Sequence, residues 1–314
     1  MSIDSIVNGF LSSTGTPGAI VSIQQNGATT FARGYGSIGA QASAPTASTS
    51  FQIDSLTKSF TALAVLRLWE QGTIASLTDP LGKYLAKLDN PAWGTIRIDQ
   101  LLAMVSGIPD SGSATLTYKE CLASIAEEKL MFPPGSQYFY SNSNFFLLGE
   151  LIDAVGGGFG PYTKANVLDV FGMPNTGLIP YADAADPATP YGNGKPQAWR
   201  SPLCGYSGGG FASTMADLET YALGLLAGEV LKPSTYALMW TNYPLTNGTK
   251  GPFGLGWDVV TNPDGSLAYA GKDGGGYGWG SYVLVSPPEN RGVCVLINND
   301  APAGELATSL FHLD

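Results

Sequence analysis

Ser55-Leu56-Thr57-Lys58 sets a hydroxyl and an amine three residues apart, a spacing that on a helix brings both onto one face. A lysine held there with a lowered pKa accepts the serine proton and activates the nucleophile without histidine. Roughly one S-x-x-K is expected by chance in a chain of this composition, so the pattern needs context. Its context is the start of a long apolar helix just after a short strand, although serine is also a favoured helix cap wherever helices begin. Tyr140-Ser141-Asn142 has the residue types for a phenolate base and an amide that orients both a lysine and a substrate carbonyl. A second Y-x-N, Tyr191-Gly192-Asn193, lies in a Pro/Gly-rich loop and reads as a turn, whereas Tyr140 follows Pro133-Pro134-Gly135 and precedes an apolar helix over 145–155. Lys272-Asp273-Gly274-Gly275, followed by Gly276-Tyr277-Gly278-Trp279, has the composition of a strand edge where missing side chains let a substrate approach. Lys272 then offers a cation to a substrate carboxylate; the same residues also fit a glycine-rich turn with a solvated lysine.

The elements that position these residues follow from periodicity. Ile3, Ile6, Val7, Phe10 and Leu11 predict an amphipathic helix over 3–12. Apolar stretches at 19–24 and 29–34, separated by Asn26-Gly27, predict a hairpin. A Ser/Ala/Thr/Pro-rich loop at 37–50 leads to a helix from Leu56 to Glu70, stopped by Gly72. Residues 74–200 show no convincing alternation and carry helical candidates near 98–105, 117–129, 143–155 and 162–170. A helix near 215–227, strand-like runs at 256–260, 281–285 and 292–297, and a helix around 303–312 close the chain. Strands at both ends with helices between predict one antiparallel sheet built from the two termini. The expected division is an α/β part, 1–73 with 205–314, and a helical part, 74–204.

Composition removes whole classes of function. Fifteen Lys+Arg against 25 Asp+Glu give a net charge of −10, with no basic cluster, so neither nucleic acid nor an anionic membrane is an expected partner. Charged residues are 13% and hydrophobic residues 44% of the 314, the balance of a chain that folds on its own core. Cys121, Cys204 and Cys294 are widely spaced and odd in number, which fits buried hydrophobes better than a disulfide framework or a zinc pattern. The single histidine, His312, leaves neither a catalytic zinc site nor a convenient triad base, so no metal or cofactor is expected. No signal peptide is visible in 1–15 and no uncharged apolar run approaches a membrane span. The expectation is a cytoplasmic protein, or a periplasmic or secreted one if a signal has been removed.

In this order the motifs resemble the serine β-lactamase and penicillin-binding protein superfamily, in particular the class C β-lactamase-related branch with its esterases and D-stereospecific peptidases. The resemblance extends between them, through Leu101-Leu102-Ala103-Met104-Val105-Ser106-Gly107-Ile108-Pro109, Pro134-Gly135, Phe171-Gly172-Met173-Pro174-Asn175-Thr176, Gly208-Gly209 with Ser213-Thr214 and Asp217, and Phe253-Gly254-Leu255-Gly256-Trp257. It covers about 50 to 300. The resemblance implies a β-lactamase/transpeptidase-like fold, an antiparallel sheet flanked by helices with a mainly helical insertion. It implies that Ser55 is the acylated nucleophile, Lys58 its proton partner, Tyr140 the general base and Asn142 a hydrogen-bonding residue of the site. Lys272 and Gly274 stand in the third, substrate-binding motif, and the backbone amides of Ser55 and Gly275 form the oxyanion hole. Two positions depart from the pattern. Met104 replaces a frequent histidine, a packing change, and Asp273 stands where the family has Thr or Ser. Strand alternation puts Asp273 on the face opposite Lys272 and Gly274, although a carboxylate this close to Lys272 counts against recognition of a substrate carboxylate.

Two other readings are weaker. Gly205-Tyr206-Ser207-Gly208-Gly209 matches G-x-S-x-G with His312 downstream, but Pro202 precedes it where a strand is needed and alternating βα units are missing. Gly34-Tyr35-Gly36-Ser37-Ile38-Gly39 matches G-x-G-x-x-G without a following helix. The expected function is a serine hydrolase that forms an acyl-enzyme at Ser55 and cleaves ester or amide bonds of small acyl substrates. The alternatives are a β-lactamase or D-alanyl-D-alanine carboxypeptidase, and, from another class, a catalytically silent penicillin-binding sensor.

Overall fold

The computed structural model describes residues 2–39 and 43–313. The chain begins with helix α1 (Ile3–Thr14) and a hairpin of β1 (Gly18–Gln25) and β2 (Ala28–Gly36). A short strand β3 (Ser50–Gln52) and a 3-10 turn over Asp54–Leu56 lead into α2 (Thr57–Glu70). The helical segment that follows holds α3 (Ile98–Leu102), α4 (Tyr118–Ser124), α5 (Asn142–Gly156), α6 (Phe159–Thr163) and α7 (Asp169–Phe171). A small hairpin, β4 (Tyr191–Gly192) with β5 (Lys195–Pro196), precedes α8 (Pro202–Gly209), β6 (Ala212–Thr214), α9 (Met215–Ala227) and α10 (Pro233–Met239). Four strands, β7 (Asp258–Thr261), β8 (Leu267–Gly276), β9 (Trp279–Ser286) and β10 (Arg291–Ile297), and helix α11 (Ala303–Phe311) end it.

The main sheet runs β2-β1-β10-β9-β8-β7, antiparallel throughout, so its two ends of sequence meet where Ala19 pairs with Ile297. The expectation of one antiparallel sheet made from both termini is realised. One face carries α1 and α11 on a cluster of Val7, Val21, Val293, Leu306 and Leu310. The other carries α2 and α9 on a larger cluster that reaches into the helical segment through Trp93, Leu101, Phe145 and Leu151. Because α2 is covered on every side, Thr57 through Leu66 are all buried, and whatever polar group that helix carries is taken out of water.

Several boundaries differ from the sequence reading for physical reasons. The run near 162–170 is not one α-helix, because residues 164–168 widen into a π-turn between α6 and α7. Leu267–Gly276 is a long strand, which its Lys-Asp-Gly-Gly-Gly end hides from any apolar alternation. The expected boundary at 204/205 falls inside α8, a kinked helix in which Tyr206 sits at φ 40° and ψ −123°. Of Tyr191-Gly192-Asn193, expected as a turn, Tyr191 and Gly192 form strand β4 and Asn193, at φ 52°, begins the turn to β5. Among the described residues no helix is long and apolar enough to cross a membrane.

Candidate active site

Ser55 lies in the 3-10 turn ahead of α2 and makes no cap; Leu56 takes the cap position. One turn of backbone separates it from Lys58, whose Nζ is 2.9 Å from Ser55 Oγ. Tyr140 Oη donates to the same Ser55 Oγ at 2.7 Å across 85 residues of sequence. Lys58 Nζ also donates to Asn142 Oδ1 at 2.7 Å and to the Gly208 carbonyl. Ser55, Lys58, Tyr140 and Asn142 are therefore one connected cluster, of which Ser55, Tyr140 and Asn142 line a cleft of about 350 Å3 and Lys58 lies buried outside its lining.

Lys58 is fully buried. Burial first, and then the charge of Lys272, hold its ammonium well below the usual 10.5. Its partners show what the neutral amine can do. Asn142 Oδ1 and the Gly208 carbonyl can only accept, so they take the two N–H groups of an uncharged amine. The remaining lone pair is then directed at Ser55 Oγ, the geometry needed to receive the serine proton. Tyr140 behaves differently from the phenolate suggested by its sequence. Burial raises its pKa above the ordinary 10, more than the charge of Lys272 lowers it, so it stands as a neutral phenol, a proton donor to Ser55.

The placement of Tyr140 and Asn142 comes from two segments packed side by side. Phe139 N–H donates to the Met104 carbonyl at 2.9 Å and Gly135 N–H to Val105 at 2.7 Å. This lays the 133–140 stretch along the Met104-Val105-Ser106-Gly107 turn. Met104 is buried there and its sulfur accepts from Asn144 Nδ2 at 3.3 Å, an internal contact in place of a histidine. Asp110, which sequence reasoning missed, governs Asn142. Its Oδ1 accepts from the backbone N–H of Asn142 at 2.7 Å and from Nδ2 at 3.1 Å. The first bond caps α5, a task Ser141 leaves undone, and the second turns Asn142 Oδ1 toward Lys58.

Strand β8 forms the opposite wall. Tyr277 and Gly278 close the β8–β9 hairpin at φ 58° and 93°, so Gly276 and Trp279 are its hydrogen-bonded end pair. Gly275, opposite Gly280, is in the next, non-hydrogen-bonded pair, and its N–H points away from β9. On that side β7 reaches no further than Gly271, which leaves the edge open toward the cleft that Gly275 and Ser55 both line. Gly274 does not open space for a substrate. A Cβ there would lie 1.9 Å from the Ile53 carbonyl oxygen and 2.8 Å from Leu56 N, so its hydrogen lets β8 press against the turn that carries Ser55.

Lys272 is fully buried and lies outside the lining of the cleft. Its ammonium pairs with the Asp273 carboxylate and sits 5.6 Å from the Tyr140 ring centre. Burial alone would lower its pKa, but Asp273, Tyr140 and Asp258 outweigh it and the net shift is upward. Lys272 is thus a permanent charge behind Tyr140, with Asp273, side chain 59% exposed, as its counter-ion. Arg200, also missed, does line the cleft, paired with Asp54 and stacked 4.1 Å from the Tyr277 ring centre. The alternative serine, Ser207, is buried with its hydroxyl on the Phe145 carbonyl at 2.9 Å, while His312 is exposed and packs on Tyr269 and Phe311. Cys121, Cys204 and Cys294 are free and buried. Among the described residues no group of three or more His, Cys, Asp or Glu side chains gathers to hold a metal.

A family model described as Beta-lactamase matches residues 3–311. The chain is 29% identical over 289 residues to the human protein "Putative beta-lactamase-like 1", covering 83% of this chain and 56% of that protein. It is 29% identical to "Protein flp" of Staphylococcus aureus strain MW2, covering 94% of this chain and 62% of that one. The chain therefore spans less than two thirds of the length of both. Among solved structures it is similar to the octameric penicillin-binding protein homologue from Pyrococcus abyssi, with a TM-score of 0.86, 26% identity, and coverage of 98% of this chain and 76% of the other.

Proposed function

Because this chain belongs to the β-lactamase family, with the mixed α/β fold of the β-lactamase/transpeptidase group, we propose that it is a serine hydrolase forming an acyl-enzyme at Ser55 and acting on small, uncharged esters or amides. The observation that carries the reading is the convergence of Lys58 Nζ and Tyr140 Oη on Ser55 Oγ. In this reading Lys58 takes the Ser55 proton as Oγ bonds to the substrate carbonyl carbon. The backbone amides of Ser55 and Gly275 hold the oxyanion, and the leaving group departs with a proton delivered through Tyr140. Water then attacks the acyl-enzyme and the carboxylic acid leaves. Residues 1–73 with 205–314 supply Ser55, Lys58 and Gly275 in this scheme, and 74–204 supply Tyr140 and Asn142.

The substrate class rests on charge. The charged side chains lining the cleft among the described residues are Asp54 and Arg200, paired with each other, and Lys272 is occupied by Asp273. A substrate carboxylate meets no unpaired cation, which favours an esterase or amidase over a β-lactamase or D-alanyl carboxypeptidase. The test is a fluorophosphonate probe located by peptide mapping, with steady-state comparison of p-nitrophenyl acetate and a chromogenic cephalosporin. Modification at Ser55 with a higher kcat/KM on the ester is expected. Labelling at another serine would overturn the mechanism, and a faster cephalosporin would overturn the substrate class.

A further inference from the structure

Ser55 N–H belongs to the peptide that joins it to Asp54, so the backbone of Asp54 aims that donor. Asp54 is a non-glycine residue at φ 43°, a left-handed conformation that an L-residue keeps only where its surroundings hold it. Those surroundings are specific. Asp54 is 3% exposed and its carboxylate pairs with the Arg200 guanidinium, whose side chain is itself only 11% exposed. Arg200 is fixed at its own backbone by Gln52. The Arg200 N–H donates to Gln52 Oε1 at 2.9 Å and the Arg200 carbonyl accepts from Gln52 Nε2 at 3.0 Å, while Trp279 Nε1 donates to that same Oε1 at 3.2 Å. The other face of the guanidinium lies on the Tyr277 ring, two residues beyond Gly275. One side chain thus touches the residue before Ser55 and the turn after Gly275.

We propose that Arg200 is a positioning residue for the oxyanion hole, a clamp between Asp54 and Tyr277 that sets the distance and angle between the Ser55 and Gly275 amides. This rests on the assignment of those two amides to the oxyanion. Only a planar cation does both halves of the task, since a guanidinium donates to a carboxylate from its edge and stacks an aromatic ring on its face, whereas an ammonium is a point charge without a face. The clamp acts through the two amides and touches no reacting atom, so its loss appears where negative charge develops on the substrate oxygen. It leaves the Ser55–Lys58–Tyr140 contacts in place.

The test compares wild type with Arg200→Ala, Arg200→Lys, Tyr277→Ala and Ser55→Ala, all as the full chain. The readouts are kcat and KM for p-nitrophenyl acetate and the Kd of phenylboronic acid, whose serine adduct places an oxygen in the oxyanion position. Arg200→Ala is expected to lower kcat about 10- to 100-fold, within the range for a damaged oxyanion hole. KM should stay within about threefold and boronate affinity should weaken in step with kcat. Millimolar guanidinium chloride should restore part of the kcat of Arg200→Ala, and Arg200→Lys should recover less than half. Tyr277 is 43% exposed on a turn, so Tyr277→Ala tests the clamp even if an Arg200 variant fails to fold, and a kcat loss of about fivefold or more is expected. A folded Arg200→Ala with kcat within twofold of wild type overturns the clamp. So does a loss of kcat without a loss of boronate affinity, or, where Arg200→Ala does not fold, a fully active Tyr277→Ala. Activity surviving in Ser55→Ala would instead overturn the assignment of the nucleophile, a different failure.

Discussion

In the proposed mechanism Lys58 works as a base only because it is kept from being an ordinary lysine. Eleven of the fourteen residues of its helix are buried, the charged form is poorly solvated, and Lys272 adds like-charge repulsion that Asp273, Asp110 and Asp54 offset in part. The sign for catalysis follows. Below its depressed pKa, Lys58 is an ammonium with no lone pair, so kcat/KM for p-nitrophenyl acetate should fall as pH drops through that value and stay flat above it. Lys58→Arg, charged at every working pH, should lower the rate at least about 10²-fold with that limb gone. A pH–rate profile for both proteins checks this; an unchanged limb in the arginine variant would assign it to another group. Tyr140→Phe should likewise lower kcat at least about 10²-fold, because the phenol is lost as a proton donor while the ring keeps its packing. Ser55, Lys58, Tyr140 and Asn142, which the structure brings together, were singled out by the order and context of their motifs, since each short spacing alone is expected about once by chance. Asp110 and Arg200 were not, since each acts through a side-chain approach. Asp110 meets Asn142 across 32 residues and Arg200 meets Asp54 across 146, separations that leave no periodic trace.

Elements were legible where apolar residues recur at a regular spacing or a turn signal such as Asn26-Gly27 divides them. Helices α1, α9 and α11 and the β1–β2 hairpin stand where periodicity put them, while β8 and α8 lay hidden behind glycines. Some of those glycines, Gly271 and Gly274 in β8 and Gly205 in α8, are at close approaches where a Cβ would clash, so one wall of the site was hidden while α2 and α5, which carry Lys58 and Asn142, were readable. Gly274 is the sharpest case. Gly274→Ala would force β8 off the Ile53–Leu56 backbone and shift Gly275 with it, so it should destabilise the fold by about 1–3 kcal/mol. Its kcat should fall more than tenfold; thermal unfolding with ester kinetics measures both, and wild-type kcat in a stable variant would contradict the packing. Asp110→Ala acts at the N-terminus of α5. It should cost about 0.5–2 kcal/mol as a lost cap and, beyond that, lower kcat about tenfold by freeing the Asn142 amide to turn. Asp110→Asn, which keeps an oxygen acceptor, should recover most of it. The elements between the catalytic motifs have a structural purpose of the same kind, since Asn175 N–H and Thr176 Oγ1 both donate to Asp217 at 2.8 and 2.7 Å, pinning the end of the helical segment to α9.

The molecule as a whole carries a net charge of −10, and the cleft does nothing to reverse that field locally, because Arg200 and Lys272 each face a carboxylate. An anionic substrate should therefore approach against a repulsive potential, while a neutral ester should not sense it. Screening separates the two. Raising ionic strength from about 0.02 to 0.2 M shortens the Debye length from roughly 20 Å to under 10 Å, so kcat/KM for a carboxylate-bearing cephalosporin should rise while that for p-nitrophenyl acetate stays level. Replacing Asp273 by serine removes the counter-ion of Lys272 and should shift the ratio of cephalosporin to ester kcat/KM upward by about tenfold, or 1.4 kcal/mol. It should also reduce stability, since a buried ammonium is left unpaired. If cephalosporin turnover instead fell with salt in the wild-type protein, the cleft would be presenting positive potential despite Asp273. Lys272 would then be recognising the substrate carboxylate directly, and the preference for uncharged esters would have to be abandoned.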